Sequence, residues 1–306
     1  MAVECACGLP QARGVNAEMN VVTRLLSPGS TVRVLEHADL DEVLDLLARD
    51  PIDNAFIGSR VESAGLDQWR LGGEMWGYSA AGRLASLCFS GANLVPINAT
   101  PEAVRAFADR ARKQGRRCSS IVGSREAALD LWSYLAPHWD PAREVRPNQP
   151  VMAIRESSPT VAPDFRIRPV RPSELDTMMP ACIAMFTEEV GVSPVAADGG
   201  RMYRQRVAEL VNTGRAFAWI ENGEVVFKAE IGAVTRAVCQ IQGVWVNPRY
   251  RGRRISEGGM AAVVEYALRD FAPVVSLYVN DFNVPARASY HRVGFREVSE
   301  FASVLF

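Results

Sequence analysis

The chain has 306 residues, of which 48% are hydrophobic and 23% are charged, a composition typical of globular proteins. Its formal net charge of -1 excludes a global field that would draw the molecule to nucleic acid or an anionic membrane, so any basic site must be local. The length predicts two domains of ~150 residues each.

Residues 1–30 have neither a basic stretch followed by a long apolar core nor a regular apolar period, so a disordered leader and no signal peptide are expected. No apolar run in the chain reaches ~18 residues, which predicts no membrane span. Lys113 and Lys228 are the only lysines among the 34 Lys+Arg, as in GC-rich bacterial genomes. A cytoplasmic bacterial protein is expected, with six scattered cysteines as free thiols and no metal site.

Residues 31–156 alternate strand-like and helix-like stretches. A short strand, "TVRV", precedes an amphipathic helix, "DLDEVLDLLARD". Strand-like "EMWGYSAAGRLASLCFSG" and "NLVPIN" follow, and then a helix with Thr100 as its N-cap and Pro101 at its first position. Strand "CSSIVG", helix "REAALDLWSYL" and a strand around "PVMAIRE" complete a predicted mixed α/β sheet.

The stretch "ESSPTVAPD" is polar and contains two prolines, which predicts an exposed linker at residues 157–164. Residues 165–306 then start as the first half does, with a strand and a helix, and this suggests duplicated domains. After a helix over "GGRMYRQRVAELVNTG" comes a hairpin turning at Asn222-Gly223. The remaining elements are strand "AVCQIQGVWV", helix "EGGMAAVVEYALRDF", strand "VVSLYV", helix "PARASYHRVG" and strand "FREVSEFASVLF".

Residues 249–254 contain four arginines where strand "VWV" passes into a helix. The first N–H groups of a helix have no internal partner and the helix dipole adds positive charge, so a diphosphate fits there. Gly252 would let the backbone approach a ligand closely. The alternative is a solvated arginine cluster, but arginine at a helix start opposes the dipole. Neither G-x-x-x-x-G-K-[ST] nor G-x-G-x-x-G is present, which argues against a nucleoside triphosphatase and a dinucleotide dehydrogenase.

Two motifs in residues 165–306 resemble those of the GNAT acetyltransferase superfamily. "VWVNPRYRGRRI" before a long helix is similar to its acetyl-CoA loop, whose signature is Q/R-x-x-G-x-G/A. Arg251 takes the first position, but Arg254 and Ser256 replace the two small residues. The side chain of an arginine at position 254 would either narrow the phosphate-binding loop or bind a phosphate itself. "LYVNDFNVPARASYHRVGF" is similar to the later L-x-V-x-x-x-N-x-x-A-x-x-x-Y-x-x-x-G-F pattern of the family.

The resemblance implies an acetyl-CoA site built from the strand, the loop and the second motif. The strand would bind the pantetheine arm and the acetyl carbonyl with its backbone. A bulge at Gly243 would part this strand from its neighbour and open a slot for the arm. A backbone amide near Val246 would hold the oxyanion. The loop amides would hold the pyrophosphate. The implied binding residues are Val244, Trp245, Val246, Arg251, Gly252, Arg253, Arg254, Ile255, Ser256, Glu257, Asn283 and Ala286.

Tyr290 is implied as the general acid that protonates the departing CoA thiolate. A tyrosine pKa of ~10 is near that of a thiol, so the proton transfer is roughly balanced in energy. The alternative is a half-buried aromatic that only packs on its helix. Asn283 is expected to cap this helix and Gly294 to end it, while His291 is expected at the surface.

The general base is expected to be Glu230, which lies in a strand between apolar residues; an exposed-face role is its alternative. Gln240 and Gln242 fill strand positions where some relatives carry the base, and glutamine cannot take a proton. Glu188 and Glu189 are expected near the acceptor loop, as substrate contacts or as surface residues.

The first half lacks both motifs, so the predicted fold is α/β, with two tandem GNAT-like mixed-sheet domains of which the N-terminal one, residues 31–156, is degenerate. The arrangement also resembles two-lobed actinobacterial acetyltransferases such as mycothiol synthase. Residues 165–306 are predicted to transfer an acetyl group from acetyl-CoA, without a metal, to a small-molecule or peptide amine. The alternative is a non-catalytic acetyl-CoA-binding sensor or interaction protein. Nucleic acid and membranes are not expected as partners, and the acceptor and oligomeric state stay open.

Overall fold

The computed structural model describes residues 31–196 and 199–306, and the predicted leader lies outside the described residues. The elements of the first half follow the predicted order. Its strands are β1 (Thr31–Val34), β2 (Gly73–Ala80), β3 (Arg83–Gly91), β4 (Asn93–Ile97), β5 (Ser120–Ser124) and β6 (Glu144–Ile154). Its helices are α1 (Leu40–Leu47), α2 (Ala55–Ala64), α3 (Gln68–Leu71), α4 (Pro101–Gln114) and α5 (Arg125–Leu135).

The second half repeats this arrangement with a shorter first strand and with two longer helices in place of the first three. Its strands are β7 (Arg168–Pro169), β8 (Ala216–Glu221), β9 (Glu224–Val234), β10 (Cys239–Val246), β11 (Val275–Tyr278) and β12 (Arg296–Leu305). Its helices are α6 (Leu175–Val190), α7 (Arg201–Asn212), α8 (Ile255–Asp270) and α9 (Val284–Val293). A 3-10 turn, Pro248–Tyr250, joins β10 to the loop before α8.

Caps and turn residues set several of the predicted boundaries. The Thr100 hydroxyl accepts a hydrogen bond from the third residue of α4 at 3.3 Å, which confirms it as the N-cap. Asn222 and Gly223 have φ of 51° and 77°, as a tight hairpin turn between β8 and β9 requires. Helix α2 was not predicted, because Gly58 interrupts its pattern. That glycine lies where a Cβ would meet Thr235 Cγ2 at 3.2 Å, so it allows α2 to pack against the second half.

The twelve strands of the described residues form one mixed sheet in the order β1-β2-β3-β4-β5-β12-β6-β11-β10-β9-β8-β7. The last strand of each half is exchanged with the other half. Strand β12 lies between β5 and β6, and β6 lies between β12 and β11, all antiparallel. The boundary at residues 157–164 therefore divides the sequence without dividing the sheet.

Each half completes its hydrophobic core with the strand that it receives. Ala302 and Val304 of β12 are buried in the cluster built by α4, α5 and the first-half strands. Met152 and Ile154 of β6 are buried in the cluster built by α8, α9 and the second-half strands. Because apolar burial is the main favourable contribution to folding, neither half has its full core alone.

Within the described ranges, no helix combines the length and the apolarity needed to cross a membrane. The same residues contain no group of three or more His, Cys, Asp or Glu side chains arranged to hold a metal ion. Four cysteines are free and buried, as expected, and Cys5 and Cys7 lie outside the described residues. The buried thiols are those of Cys88, Cys118, Cys182 and Cys239.

Candidate functional site

Strands β10 and β11 separate after a short parallel pairing. They pair only at Cys239–Val275 and Gln240–Ser276. Beyond Gln240, the β10 edge has no strand partner on the β11 side among the described residues, and an open slot lies there. Unpaired backbone groups along such an edge are free to bind a ligand.

The predicted bulge at Gly243 is present on the other edge of β10. Gln242 pairs with Glu230 of β9, but the next recorded pair is Trp245 with Lys228, so two residues of β10 face one of β9. Gly243 has a φ of 61°, a left-handed conformation that glycine adopts without a steric penalty. The bulge bends β10 and helps to part it from β11.

The bulge leaves two backbone N–H groups of β10 facing the slot. The Asn247 N–H donates to the Val226 carbonyl of β9 at 2.9 Å. Successive peptide groups of a strand point to opposite edges, so the N–H groups of Val244 and Val246 point away from β9, towards the slot. The Val246 carbonyl on that edge accepts a hydrogen bond from Arg251 Nε at 2.9 Å.

The loop between β10 and α8 presents a run of free N–H groups. The backbone N–H groups of residues 252–256 have no backbone or side-chain acceptor within the described parts of the chain. The two flanking amides are engaged: the Arg251 N–H donates to the Pro248 carbonyl at 3.3 Å and the Glu257 N–H donates to the Arg254 carbonyl at 3.1 Å. Five consecutive donors at the start of a 16-residue helix form an anion cradle.

Arg254 stands where the family signature has a glycine, and its backbone conformation is one that favours glycine. Its φ of 59° and ψ of 19° are left-handed, which explains why a glycine suits this position. Its side chain is 71% exposed, and its Nε lies 3.1 Å from the Glu257 carboxylate. Glu257 also accepts a hydrogen bond from Arg292 Nε of α9 at 2.8 Å, so its side chain joins α8 to α9.

Helix α9 carries the second motif along the slot. Asn283 caps the helix by accepting from the Ala286 N–H at 3.2 Å, and Gly294 ends it with a φ of 116°, both as expected. Tyr290 is buried against Phe295 and lines the same cavity as Asn283 and Ala286. Burial, and after it the charge of Glu189, raise the pKa of the Tyr290 hydroxyl, so the group keeps its proton.

Glu230, the expected base, belongs to a buried ion pair beneath the bulge. Its carboxylate lies 2.7 Å from Lys228 Nζ, and neither side chain is more than 6% exposed. The Cys182 thiol donates to the same carboxylate at 3.7 Å. Burial lowers the pKa of Lys228, but the charges of Glu230 and Cys182 and the hydrogen bond to Glu230 together raise it by more, so the net shift is upward. The sequence analysis did not identify Lys228 as a site residue. Its identity could have been a signal, because it is one of only two lysines among the 34 Lys+Arg of the chain.

The end of helix α6 places two carboxylates at the rim of the site. Glu188 accepts hydrogen bonds from Trp245 Nε1 at 3.2 Å and from an Arg251 guanidinium nitrogen at 2.7 Å. Glu189 accepts from Arg146 at 2.9 Å and from Asn280 Nδ2 at 2.9 Å. Arg146 belongs to β6, so a strand from the first half holds the end of α6 in place. No sequence pattern revealed this contact.

Of the remaining candidates, Gln240 and Gln242 line the same cavity as Tyr290, and His291 does not. Gln242 is exposed, and its side chain turns back over Gly232 of β9. Gln240 is buried. His291 is at the surface, as expected, where its Nε2 lies 3.2 Å from the Glu297 carboxylate.

A cavity of about 1380 Å³ joins these features and continues into the first half. That volume exceeds the ~300–1,000 Å³ of typical small-ligand pockets. Asp53 and Phe56 of the first half line it, as do Tyr278 and Phe301, whose ring centroids are 5.5 Å apart. Asp53 accepts a hydrogen bond from the Ser299 hydroxyl of β12 at 2.5 Å.

The equivalent strands of the first half, β4 and β5, line the same cavity but do not separate in the same way. Strands β4 and β5 also pair in parallel at only two positions. However, a Cβ built on Gly123 of β5 would lie 3.1 Å from the Pro96 carbonyl of β4, so the two strands stay in contact. Helix α4 follows β4 after only three residues, with no arginine-rich loop between them. A second cradle is therefore absent from the described first half.

Comparison with known families agrees with this geometry. Residues 183–295 match the model of the acetyltransferase (GNAT) family. The C-terminal half is a GNAT-family domain. Residues 73–178 match a domain of unknown function, DUF4081. No curated protein matches the chain.

Several solved structures, two of them described as GNAT or GCN5-related acetyltransferases, share the fold across both halves. A GCN5-related N-acetyltransferase from Sphaerobacter thermophilus is 18% identical, with a TM-score of 0.57 over 91% of this chain and 96% of that one. A GNAT-family acetyltransferase from Colwellia psychrerythraea is 14% identical, with a TM-score of 0.52 over 90% and 99%. A Drosophila protein is 14% identical, with a TM-score of 0.64 over 91% and 99%. The predicted tandem α/β fold is confirmed, while the resemblance to mycothiol synthase stays a prediction.

Proposed function

We propose that this protein transfers the acetyl group of acetyl-CoA to an amine, with the chemistry confined to the C-terminal half. The observation that carries the proposal is the alignment of three features in one cavity: the free amides of residues 252–256, the slot beside β10, and Tyr290. This donor set suits acetyl-CoA, because consecutive amides at a helix start bind phosphates and a strand edge binds an amide-containing arm.

The residues of the chain have separate roles in this proposal. The amides of residues 252–256 would hold the pyrophosphate, and Arg251 and Arg253 would add charge beside it. The N–H groups of Val244 and Val246 would bind along the slot, where one of them stabilises negative charge on the acetyl oxygen. Asn283, Ala286 and the strand residue Trp245 would line the arm.

Bound acetyl-CoA supplies a thioester. During transfer, the acceptor nitrogen forms a bond to the acetyl carbon and the carbon–sulfur bond breaks. The nitrogen loses one proton, and Tyr290 gives its hydroxyl proton to the departing sulfur. Its buried position keeps that proton in place until the sulfur becomes basic.

The proton from the amine is assigned to Glu188. If Glu230 took up a proton, Lys228 would be left charged and without its partner in the interior, which is strongly unfavourable. Glu188 is half-exposed and hydrogen-bonded to Trp245 on β10, so it can exchange protons with solvent. Glu230 keeps a supporting role beneath the bulge.

The acceptor would lie across the boundary between the halves. The cavity extends from the slot over Tyr278 and Phe301 to Asp53 and Phe56 of the first half. The degenerate first half thereby forms one wall of the acceptor site, while the closed contact between Pro96 and Gly123 leaves it without a slot of its own.

The test is Tyr290→Phe, measured with an amine found by screening for thiol release. The kcat should fall by roughly 10²–10⁴-fold, the usual contribution of a positioned acid. Calorimetry should show acetyl-CoA binding unchanged, because the phenyl ring keeps the packing on Phe295. Since burial raises the pKa of Tyr290, the wild-type rate should not fall between pH 8 and about pH 10 through loss of this proton.

A second candidate is a protein that binds acetyl-CoA without turnover. It is favoured by the ion pair that engages Glu230 and by the glutamines at positions 240 and 242. Wild type would then bind acetyl-CoA but acetylate no amine in the screen, and Tyr290→Phe would have no rate to lower. Failure of wild type to bind acetyl-CoA would contradict both candidates.

A further inference from the structure

We infer that Lys228 is a positioning residue that orients the Gly243–Val244 peptide group towards the slot. Its Nζ donates to the Gly243 carbonyl at 2.8 Å while it is ion-paired with Glu230 at 2.7 Å. The inference rests on the proposed function, because it explains how one slot-facing amide is held in the direction that the acetyl oxygen requires.

The bulge creates the need for this contact. Where two residues of β10 face one of β9, the regular ladder of N–H and carbonyl groups is interrupted. The Gly243 carbonyl would then be buried without a strand N–H to bind, at a cost of roughly 1–3 kcal/mol. The Lys228 ammonium supplies the missing donor from the facing strand.

Fixing this carbonyl also fixes the neighbouring N–H. No cis peptide bond occurs among the described residues, so the Gly243 carbonyl and the Val244 N–H point in opposite directions across one planar group. With the carbonyl held against β9, the Val244 N–H is directed at the open side of β10. A pre-oriented donor stabilises developing charge without reorganising during the reaction.

The surroundings are built for a lysine and a glycine together. Lys228 is completely buried, although the side chain of an arginine would have been the usual cation in this sequence. A compact ammonium can donate to two acceptors at once in a small space. A Cβ on residue 243 would lie 3.0 Å from Lys228 Nζ and 3.1 Å from Glu230 Oε2, so the ion pair occupies the space that the glycine leaves.

The alternative is that the pair only stabilises the fold, and a double variant separates the two. Replacing a buried ion pair by apolar residues of similar volume is often neutral for stability. Lys228→Met together with Glu230→Met removes both charges and the donor to Gly243, without leaving one charge unpaired. If the role is positioning, kcat should fall roughly 10–100-fold with the unfolding temperature retained, because small misplacements have effects of that size.

The second readout is the infrared band of the thioester carbonyl in bound, carbonyl-labelled acetyl-CoA. In wild type the band should lie below its position in free acetyl-CoA, since a directed N–H weakens the carbonyl bond. In the double variant it should move back towards the free position. Lys113→Met removes the only other lysine, on the exposed side of α4, and should change neither the rate nor the band.

The inference would be overturned by a folded double variant that keeps the wild-type kcat and has the thioester band at its wild-type position. If the double methionine variant does not fold, the double variant Lys228→Gln with Glu230→Gln takes its place. The glutamine side chain is one atom shorter than that of lysine, so its amide cannot reach the Gly243 carbonyl. The same criteria apply to this variant. Failure of the proposed function looks different. Wild type would then acetylate no amine, while the band comparison between wild type and variant would still decide the role of Lys228.

Discussion

Arg254 is an arginine in a backbone conformation that favours glycine. The family signature has a small residue here, and the structure keeps the left-handed φ of 59° that such a residue allows. An L-residue in this region loses about 1–2 kcal/mol relative to right-handed backbone. The ion pair with Glu257 offsets only part of that strain, because the Arg254 side chain is exposed.

Two variants at this position isolate the backbone contribution. Arg254→Gly and Arg254→Ala both remove the side chain, and only glycine accepts the positive φ, so the glycine variant should be more stable by about 1 kcal/mol. Both should bind acetyl-CoA about as wild type does, because the cradle consists of backbone N–H groups. Denaturant unfolding and calorimetry measure the two quantities.

Arg253 provides the matched control, since its φ is not positive. At position 253 the order of stability should reverse. Arg253→Ala should be more stable than Arg253→Gly, because alanine restricts the unfolded chain more than glycine does. An alanine variant at position 254 that equals or exceeds the glycine variant would contradict the assigned strain. A large loss of acetyl-CoA affinity in both would show instead that the Arg254 side chain itself holds a phosphate.

Several site residues could be predicted because their signals are local. Asn283 and Gly294 were predicted from helix-end preferences, and the bulge at Gly243 was implied by the family resemblance. Lys228 was not, since its role depends on a neighbouring strand whose register the sequence does not show. The ion pair of Glu230 was missed for a different reason: Lys228 is two residues away on the same strand, but the sequence does not show that this face of β9 is buried.

At the scale of elements, the end of helix α6 is fixed by the first half. Arg146 of β6 donates to the Glu189 carboxylate at 2.9 Å and to the Glu189 carbonyl at 2.6 Å. Arg143 donates to the Val190 carbonyl at 2.5 Å. These contacts satisfy carbonyls at a helix C-terminus, which otherwise lack partners, and set the direction in which Glu188 faces the slot.

The placement of Glu188 predicts its part in proton removal. Glu188→Gln should lower kcat about 100-fold at neutral pH, because the amide cannot take the proton. The deficit should shrink as pH rises towards the amine pKa of ~10, since a free amine needs no base. Glu189→Gln is the comparison, because its carboxylate is held by Arg146 and Asn280, whereas that of Glu188 contacts Trp245 of β10. A larger effect at Glu189 than at Glu188 would move the base to Glu189.

Most elements were predicted from the sequence because their signals are short-range. Period-two and helical patterns, Thr100 as a cap and the Asn222-Gly223 turn each depend on a few neighbouring residues. Helix α2 was missed because Gly58 interrupts its helical pattern, and the contact that this glycine permits, with Thr235 of the second half, is distant in sequence. Long-range packing overrides local preference at such positions.

At the scale of the whole molecule, the exchanged strands were beyond the sequence pattern. Both β6 and β12 were predicted as strands, but alternation in a strand does not identify its partner. Their pairing joins residues about 150 positions apart, such as Arg296 with Ala153 and Leu305 with Glu144. The two halves consequently share one sheet.

Because the two halves share one sheet, we expect the second half alone not to fold when the chain is truncated at the linker. A fragment of residues 163–306 lacks β6, so β11 loses its neighbour and the second core loses Met152 and Ile154. It should show no cooperative unfolding transition and should not bind acetyl-CoA. Circular dichroism during thermal unfolding and calorimetry measure this.

Two matched chains control for the truncation. A chain of residues 31–306 retains every described strand and should unfold as the full chain does. Co-expressed fragments 31–162 and 163–306 should associate and recover acetyl-CoA binding, because each supplies the strand that the other lacks. A monomeric 163–306 fragment that unfolds cooperatively would contradict the dependence.

The exchange of strands also orders events during synthesis. Strand β5 is complete at Ser124, but its neighbour β12 ends at Leu305, about 180 residues later. At ~5–20 residues per second, the ribosome needs roughly 10–40 s to cover that interval. Throughout it, the nascent chain carries an open strand edge able to pair with other polypeptides. Slower translation would therefore lengthen exposure to aggregation, and a chaperone that covers this edge would act before the site beside β10 exists.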